Sequence, residues 1–276
     1  MDHNKHKEVF FKIFNRIIKE GWRADKAASF FAFAMRTTGL RQDVSRRNIE
    51  LIFPTKPKFR KKQILRRSYD NLVWNLLEYA AWQNDPGLLD SMAVDIKLRE
   101  ELDAALASGR KVIAVSARMG NWAFLSAWLK RNYGAGCSFH RHGEIEKYTP
   151  QGLAAYLEKE LEGREILLVA GDRRAVCEGA KVSFLGQETS TTTLPARCAL
   201  AADALVVPVT CTRAAPYKAK ISFGCAMEPP RENTPEAALE LTQAICLELE
   251  KRIILEPEQW LWQQNRFEEI IKAYRQ

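Results

Sequence analysis

Apolar positions recur at helical spacing through the first third of the chain. Phe10, Ile13, Phe14, Ile17 and Ile18 fall on one face of a helix over 8–20, with Lys12, Arg16 and Lys19 elsewhere and Trp22 after it. Further helices are expected at 25–38, stopped by Gly39, and at 41–53, ended by the turn that holds Pro54 and Pro57. Over 58–84, Ile64, Leu65, Tyr69, Leu72, Leu76 and Tyr79 keep the helical spacing until Pro86 and Gly87 break it. The pattern then changes. Residues 111–117, KVIAVSA, form a short apolar, β-branched run after Gly109, the profile of a buried parallel strand. A helix is expected at 122–131, a strand near 137–140, a helix at 150–162, a strand at 165–171 and a helix at 191–203. Strands at 204–212 and 217–224 and a long helix at 235–254 complete the series. Strands alternating with helices predict an α/β fold: a mostly parallel central sheet flanked by helices, with a basic helical N-terminal portion. No internal repeat or low-complexity linker divides the chain, so one domain is expected over 1–276, with a helical portion at 1–90 and an α/β core at 105–267.

Charge sharpens this division. The chain of 276 residues carries a net charge of +8, yet residues 1–67 alone hold nine Lys and nine Arg against six acids. That region is net +12 and the remainder net −4. Such asymmetry marks a surface for polyanions, either anionic lipid headgroups or nucleic acid. Nucleic acid is disfavoured, because the cations are interleaved with a helical apolar stripe and not with a known reading motif. The stripe at 8–20 suits an interfacial helix lying on anionic lipid, and it equally suits a helix packed on the protein's own core. No stretch is apolar enough to cross a bilayer, and the N-terminus, MDHNKHKEVFFKIF, is charged throughout, unlike a secretory signal. A cytoplasmic protein, peripheral on the inner face of the cell membrane, is therefore expected. Six scattered cysteines without a CxxC pair, and only four histidines, predict neither a metal site nor a disulfide framework.

Two polar clusters follow expected strands, where sites collect in open α/β sheets. The first is SARMGNWA at 116–123, where Gly120 permits a close turn and a helix start exposes amide donors. The second is GDRRAVCEG at 171–179, where Asp172 is placed to pair with Arg173 or Arg174 or to orient them toward an anion. His140, Arg141 and His142, in FHRHGE, also follow an expected strand.

These segments resemble the bacterial lipid A acyltransferases of the lauroyl/myristoyl type, within the wider glycerolipid acyltransferase superfamily. That family has a His-x-x-x-x-Glu/Asp motif with an internal Gly-Asn-Trp, matched in register by Gly120, Asn121 and Trp122. Its Asp-Gln loop is matched at Asp172, with Arg173 in the Gln position. Its apolar-Phe-apolar-Gly step is matched at 182–186, ending in Gly186, and its Thr-containing segment and Val-Pro-Val strand at 189–202 and 207–209. Its C-terminal Pro-x-Gln-Trp-x-Trp-x-His-x-Arg-aromatic pattern is matched by Pro257, Gln259, Trp260, Trp262, Arg266 and Phe267, and SRRNIELIFP at 45–54 is similar to its Arg-x-Asn-Leu segment.

The resemblance implies transfer of a fatty acyl group from an acyl carrier protein or coenzyme A thioester to a lipid-like or glycolipid acceptor, without a cofactor. It implies catalytic positions at Arg118, Asn121, Ala123 and Asp172, and substrate contacts from Gly120, Trp122, Arg141, Arg173, Arg174, Gly186, Thr191 and Arg266. Anionic membrane lipids are the other expected partner. In the family the histidine is the general base and the acid five residues on orients it. This chain has Arg118 and Ala123 there, and Gln264 at the family's C-terminal histidine position. Arginine stays protonated, so it is no ordinary base, but it can polarise a thioester carbonyl or hold a phosphate. Two readings follow: an acyltransferase in which Arg118 acts electrostatically, or a catalytically silent homologue that binds a lipid, an acyl chain or a partner.

Overall fold

The computed structural model describes residues 24–37, 39, 41–137, 149–175 and 179–274. The helix expected over 8–20, and His140, Arg141 and His142, lie outside the described residues.

Three helices open the described chain: α1 (Ala24–Thr37), α2 (Gln42–Ile52) and the long α3 (Lys58–Asn84). A short α4 (Gly87–Ser91), β1 (Ala93–Lys97) and α5 (Arg99–Ala107) follow, none of which the apolar periodicity had marked. Next come β2 (Val112–Ser116), α6 (Trp122–Tyr133), β3 (Gly136–Cys137), α7 (Pro150–Glu160) and β4 (Ile166–Ala170). A hairpin of β5 (Gly179–Phe184) and β6 (Gln187–Thr192) precedes α8 (Leu194–Ala201). β7 (Leu205–Ala215), β8 (Lys218–Phe223), α9 (Pro235–Leu255), a 3-10 turn (Pro257–Gln259) and α10 (Glu268–Ala273) end the chain.

The main sheet has the order β1-β8-β7-β2-β4-β3. Only the β7–β8 pair is antiparallel, so the sheet is mostly parallel, as expected. Side chains alternate across it. Ile113, Val115, Leu167, Val169 and Val206 face a core built by α7, α8, α9 and the C-terminal tryptophans. Val112, Ala114, Ile166, Leu168, Leu205 and Val207 face a second core built by α5 and α6. Burial on both faces explains why these strands read as unbroken apolar runs.

Local chemistry sets the helix starts. The hydroxyls of Thr149 and Thr234 accept from the amides of Gly152 and Ala237, and each threonine is followed by a proline in the first turn. The helix expected from 191 begins later, because the ladder of β6 runs through Thr192. Leu185 and Gly186 both take left-handed backbone, φ 53° and 73°, which supplies the tight hairpin turn between β5 and β6. Gly186, expected to contact substrate, therefore has a backbone task at an exposed hairpin tip.

Candidate functional site

β2 and β4 are neighbours in parallel register, with Ser116 opposite Ala170. Two residues beyond each strand end stand Arg118 and Asp172. The amide of Gly171 donates to the Ser116 carbonyl at 2.9 Å, which continues the pairing one step and brings the two loops together. This is the carboxyl edge of the sheet, where ligands bind in open α/β folds.

Asp172 is fully buried and surrounded by donors. It accepts from the Arg118 amide at 3.1 Å, from Arg118 Nε at 3.2 Å, from the Trp260 indole at 2.8 Å and from the Gln264 amide at 3.3 Å. Burial alone would push its carboxyl up. The Arg118 charge and these hydrogen bonds outweigh burial, and the carboxyl sits below its usual range. The guanidinium on Asp172 is thus that of Arg118, from the neighbouring loop, and not that of an adjacent arginine as the GDRR run had indicated. Arg174 turns instead to Glu268 and Glu269, at 3.3 Å each. Arg173 is half-buried, and its carbonyl accepts from the Thr192 amide at 3.0 Å.

Arg118 is fixed from two sides. Nε meets Asp172, and Nη2 donates to the Gln264 side chain. Nη1 has no partner among the described residues, and 18% of the side chain remains exposed. Gln264 is itself anchored, since its carbonyl accepts from Asn48 at 2.8 Å and the same Asn48 amide reaches the Trp262 carbonyl at 2.9 Å. The Arg-x-Asn segment of α2 therefore holds the C-terminal loop against the site.

Gly120, Asn121 and Trp122 do a different job. Gly120 has φ +54°, and a Cβ there would lie 2.0 Å from the Cys211 carbonyl oxygen of β7. Its amide donates to the Gln259 carbonyl at 2.8 Å, and the Asn121 amide to the Cys211 carbonyl at 2.9 Å. The Asn121 side chain is buried: its oxygen caps α6 by accepting from Phe124, and its amide donates to Glu78. Asn121, expected among the catalytic positions, is thus committed to holding the loop. Trp122 and Ala123, on the first turn of α6, pack half-buried on the core beneath that helix.

Beneath the loop lies a buried polar network that the sequence reading missed. Glu78 forms an ion pair with Arg213 at 2.6 Å and accepts from the Tyr217 amide at 3.0 Å. Arg213 also reaches Asn71 and, at 2.6 Å, Asn75, while Asn71 and Asn75 both donate toward the Gly120 carbonyl. Its signal was present: Asn71, Asn75 and Glu78 are polar at helical spacing along α3, in a stretch whose other inward positions are apolar.

Arg266 and Thr191, expected to touch substrate, are buried against each other. Arg266 donates to Thr191 at 2.6 Å and to Thr189 and the Ser190 carbonyl at 3.0 Å, and it lies over the Phe184 ring. Burial lowers its guanidinium to about 10, still protonated at neutral pH. They tie the hairpin to the C-terminal segment. The cysteines Cys198, Cys211 and Cys246 are pushed up to about 12 by burial, which leaves their thiols inert as nucleophiles.

The arrangement joins a fixed guanidinium, a buried carboxylate and a glycine turn at the carboxyl end of a parallel sheet. The chain belongs to the bacterial lipid A biosynthesis acyltransferase family, whose model matches residues 21–148 and 150–269. It is similar to the phosphatidylinositol mannoside acyltransferase of Mycolicibacterium smegmatis, 24% identical over 219 residues, spanning 67% of this chain and 68% of that protein. The protein of the same description from Mycobacterium tuberculosis is 24% identical over 186 residues, 58% of this chain and 56% of its own length. This chain thus spans little more than half of the second relative. Among solved structures, the 1-acyl-sn-glycerophosphate (LPA) acyltransferase PlsC from Thermotoga maritima covers 77% of this chain and 97% of its own at 12% identity. Its TM-score of 0.37 is too low to bear on the site.

Proposed function

We propose that the protein transfers a fatty acyl group from an acyl carrier protein or coenzyme A thioester to a lipid-like or glycolipid acceptor, with Arg118 as an electrostatic catalyst. The acceptor oxygen or nitrogen attacks the thioester carbonyl carbon and the new bond forms as the C–S bond breaks. The thiolate leaves and takes up the proton that the acceptor gives. Negative charge gathers on the carbonyl oxygen in between, and a pre-oriented guanidinium is suited to meet it. The observation that carries this reading is the anchoring of Arg118 by Asp172 and Gln264, with Nη1 free of any partner among the described residues.

Asp172 is a poor candidate for the base, because it is buried, charge-paired and held below its usual range. An amine acceptor brings its own lone pair. A hydroxyl acceptor needs a base from elsewhere, and His140 and His142 are the first to replace by alanine. The reaction is placed at the cytoplasmic face of a membrane, which the +12 charge of residues 1–67 favours. Among the described residues no helix is long and apolar enough to cross one.

The test is mass spectrometry of lipids after incubating the purified full chain with acyl thioesters of coenzyme A and of acyl carrier protein, with hydroxyl and amine acceptors in vesicles. A product heavier by one acyl group is expected. Unaltered acceptors with every donor would overturn acyl transfer and favour a silent binding protein.

A further inference from the structure

Away from the strand ends, a cleft of about 200 Å³ opens between α2 and the start of α3. Arg46, Lys58, Lys61 and Lys62 line it, Ile49 and Leu65 form its apolar part, and Glu50 is its acid. None of the four cations makes an ion pair with a described residue; Lys61 has only the Pro54 carbonyl, at 3.2 Å. Lys58, Lys61, Lys62 and Leu65 share one face of α3 by their spacing. The three lysines crowd the first two turns of that helix, where the backbone dipole is positive and acids are the stabilising residues, yet its first turn holds no acid. Like charges gathered at that end destabilise the helix start until an anion neutralises them.

We propose that this cleft is a subsite for the phosphate of a membrane phospholipid, with the cations around the phosphate and the first apolar part of the lipid against Ile49 and Leu65. A lipid fits better than a soluble phosphate. Phe59, next to Lys58, is 67% exposed, with the Arg60 guanidinium 5.7 Å from its ring centroid. An exposed aromatic side chain among cations is the composition of a surface seated in a bilayer interface. The proposal deepens the membrane-surface part of the acyl-transfer reading, and its test needs no turnover, so the two fail separately.

Binding of the full chain to vesicles of phosphatidylcholine with phosphatidic acid is measured for two triple variants. K58Q/K61Q/K62Q empties the cleft of lysines, and K159Q/K181Q/K218Q removes the same charge from α7, β5 and β8. Each lysine near an anionic surface is worth roughly fivefold in binding, so the first variant should lose on the order of a hundredfold and the control far less. Its melting temperature should hold or rise, because repulsion at the helix start is relieved. Vesicles in which oleate replaces phosphatidic acid at equal surface charge should bind the native chain more weakly. Equal losses in the two triples, or equal binding to oleate and phosphatidic acid vesicles, would reduce the cleft to diffuse charge and overturn the subsite. Coenzyme A that displaces the native chain from phosphatidic acid vesicles, but not the first triple from its residual binding, would assign the cleft to a soluble phosphate and overturn the lipid.

Discussion

At Gly120 the backbone leaves β2 and passes so close to β7 that no side chain fits. The nearest obstacle to a Cβ is a backbone carbonyl oxygen at 2.0 Å, which cannot swing aside as a flexible side chain would. The residue also needs the left-handed conformation, which glycine alone adopts without strain. Gly120→Ala should therefore lose on the order of 3 kcal/mol or more in urea unfolding, or fail to fold. An unchanged midpoint would mean that the loop lies elsewhere. Asp172 makes a prediction in pH. Its carboxyl is held below its unfolded value near 3.8, so the stability it contributes is fully present above that pH. It is lost as pH falls from there through the lower folded value. Asp172→Asn should be destabilised at neutral pH and should show a shallower loss of stability below about pH 4. Parallel acid-unfolding curves for the two proteins would refute the charge-paired carboxylate.

Among the elements, α3 links the helical part to the sheet through Glu78, Asn75 and Asn71. The buried Glu78–Arg213 pair joins this helix to β7, and Asn121 joins the same network to the cap of α6. Removing one charge leaves the other buried without a partner, so Arg213→Leu should destabilise by about 3–5 kcal/mol. Adding Glu78→Leu should take the loss well below the sum of the two single changes. Additive losses in a double-mutant cycle would show that the pair is not coupled. Strongly periodic elements were legible in the sequence: α2, α3, β2, β4 and α9 lie within a few residues of their expected bounds. β1 and α5 were not, because half-exposed β1 reads neither as a buried run nor as a long alternation. The β5–β6 hairpin was hidden because its turn uses Leu185, a residue that rarely takes left-handed backbone.

For the whole molecule, both loops of the site could be placed after strands, but not joined. Arg118 and Asp172 are far apart in sequence, and only the β2–β4 register shows that they stand side by side. The local alternative, Asp172 with Arg173 or Arg174, was the simpler reading of the run and is not the pairing found. Arg266 and Thr191 were marked by the resemblance alone, and their hydrogen bond to each other joins positions far apart in the chain that no local pattern could pair. The central claim is that Arg118, held by Asp172, is an electrostatic catalyst of acyl transfer. The most direct test is single-turnover acyl transfer, read by mass spectrometry, for the native chain, Arg118→Lys and Arg118→His/Ala123→Glu. The account predicts that native transfer falls about 10²–10³-fold in Arg118→Lys, which keeps the charge but loses the oriented fork, and that the double variant is no better. Native transfer that survives Arg118→Lys, or a double variant faster than the native chain, would contradict it.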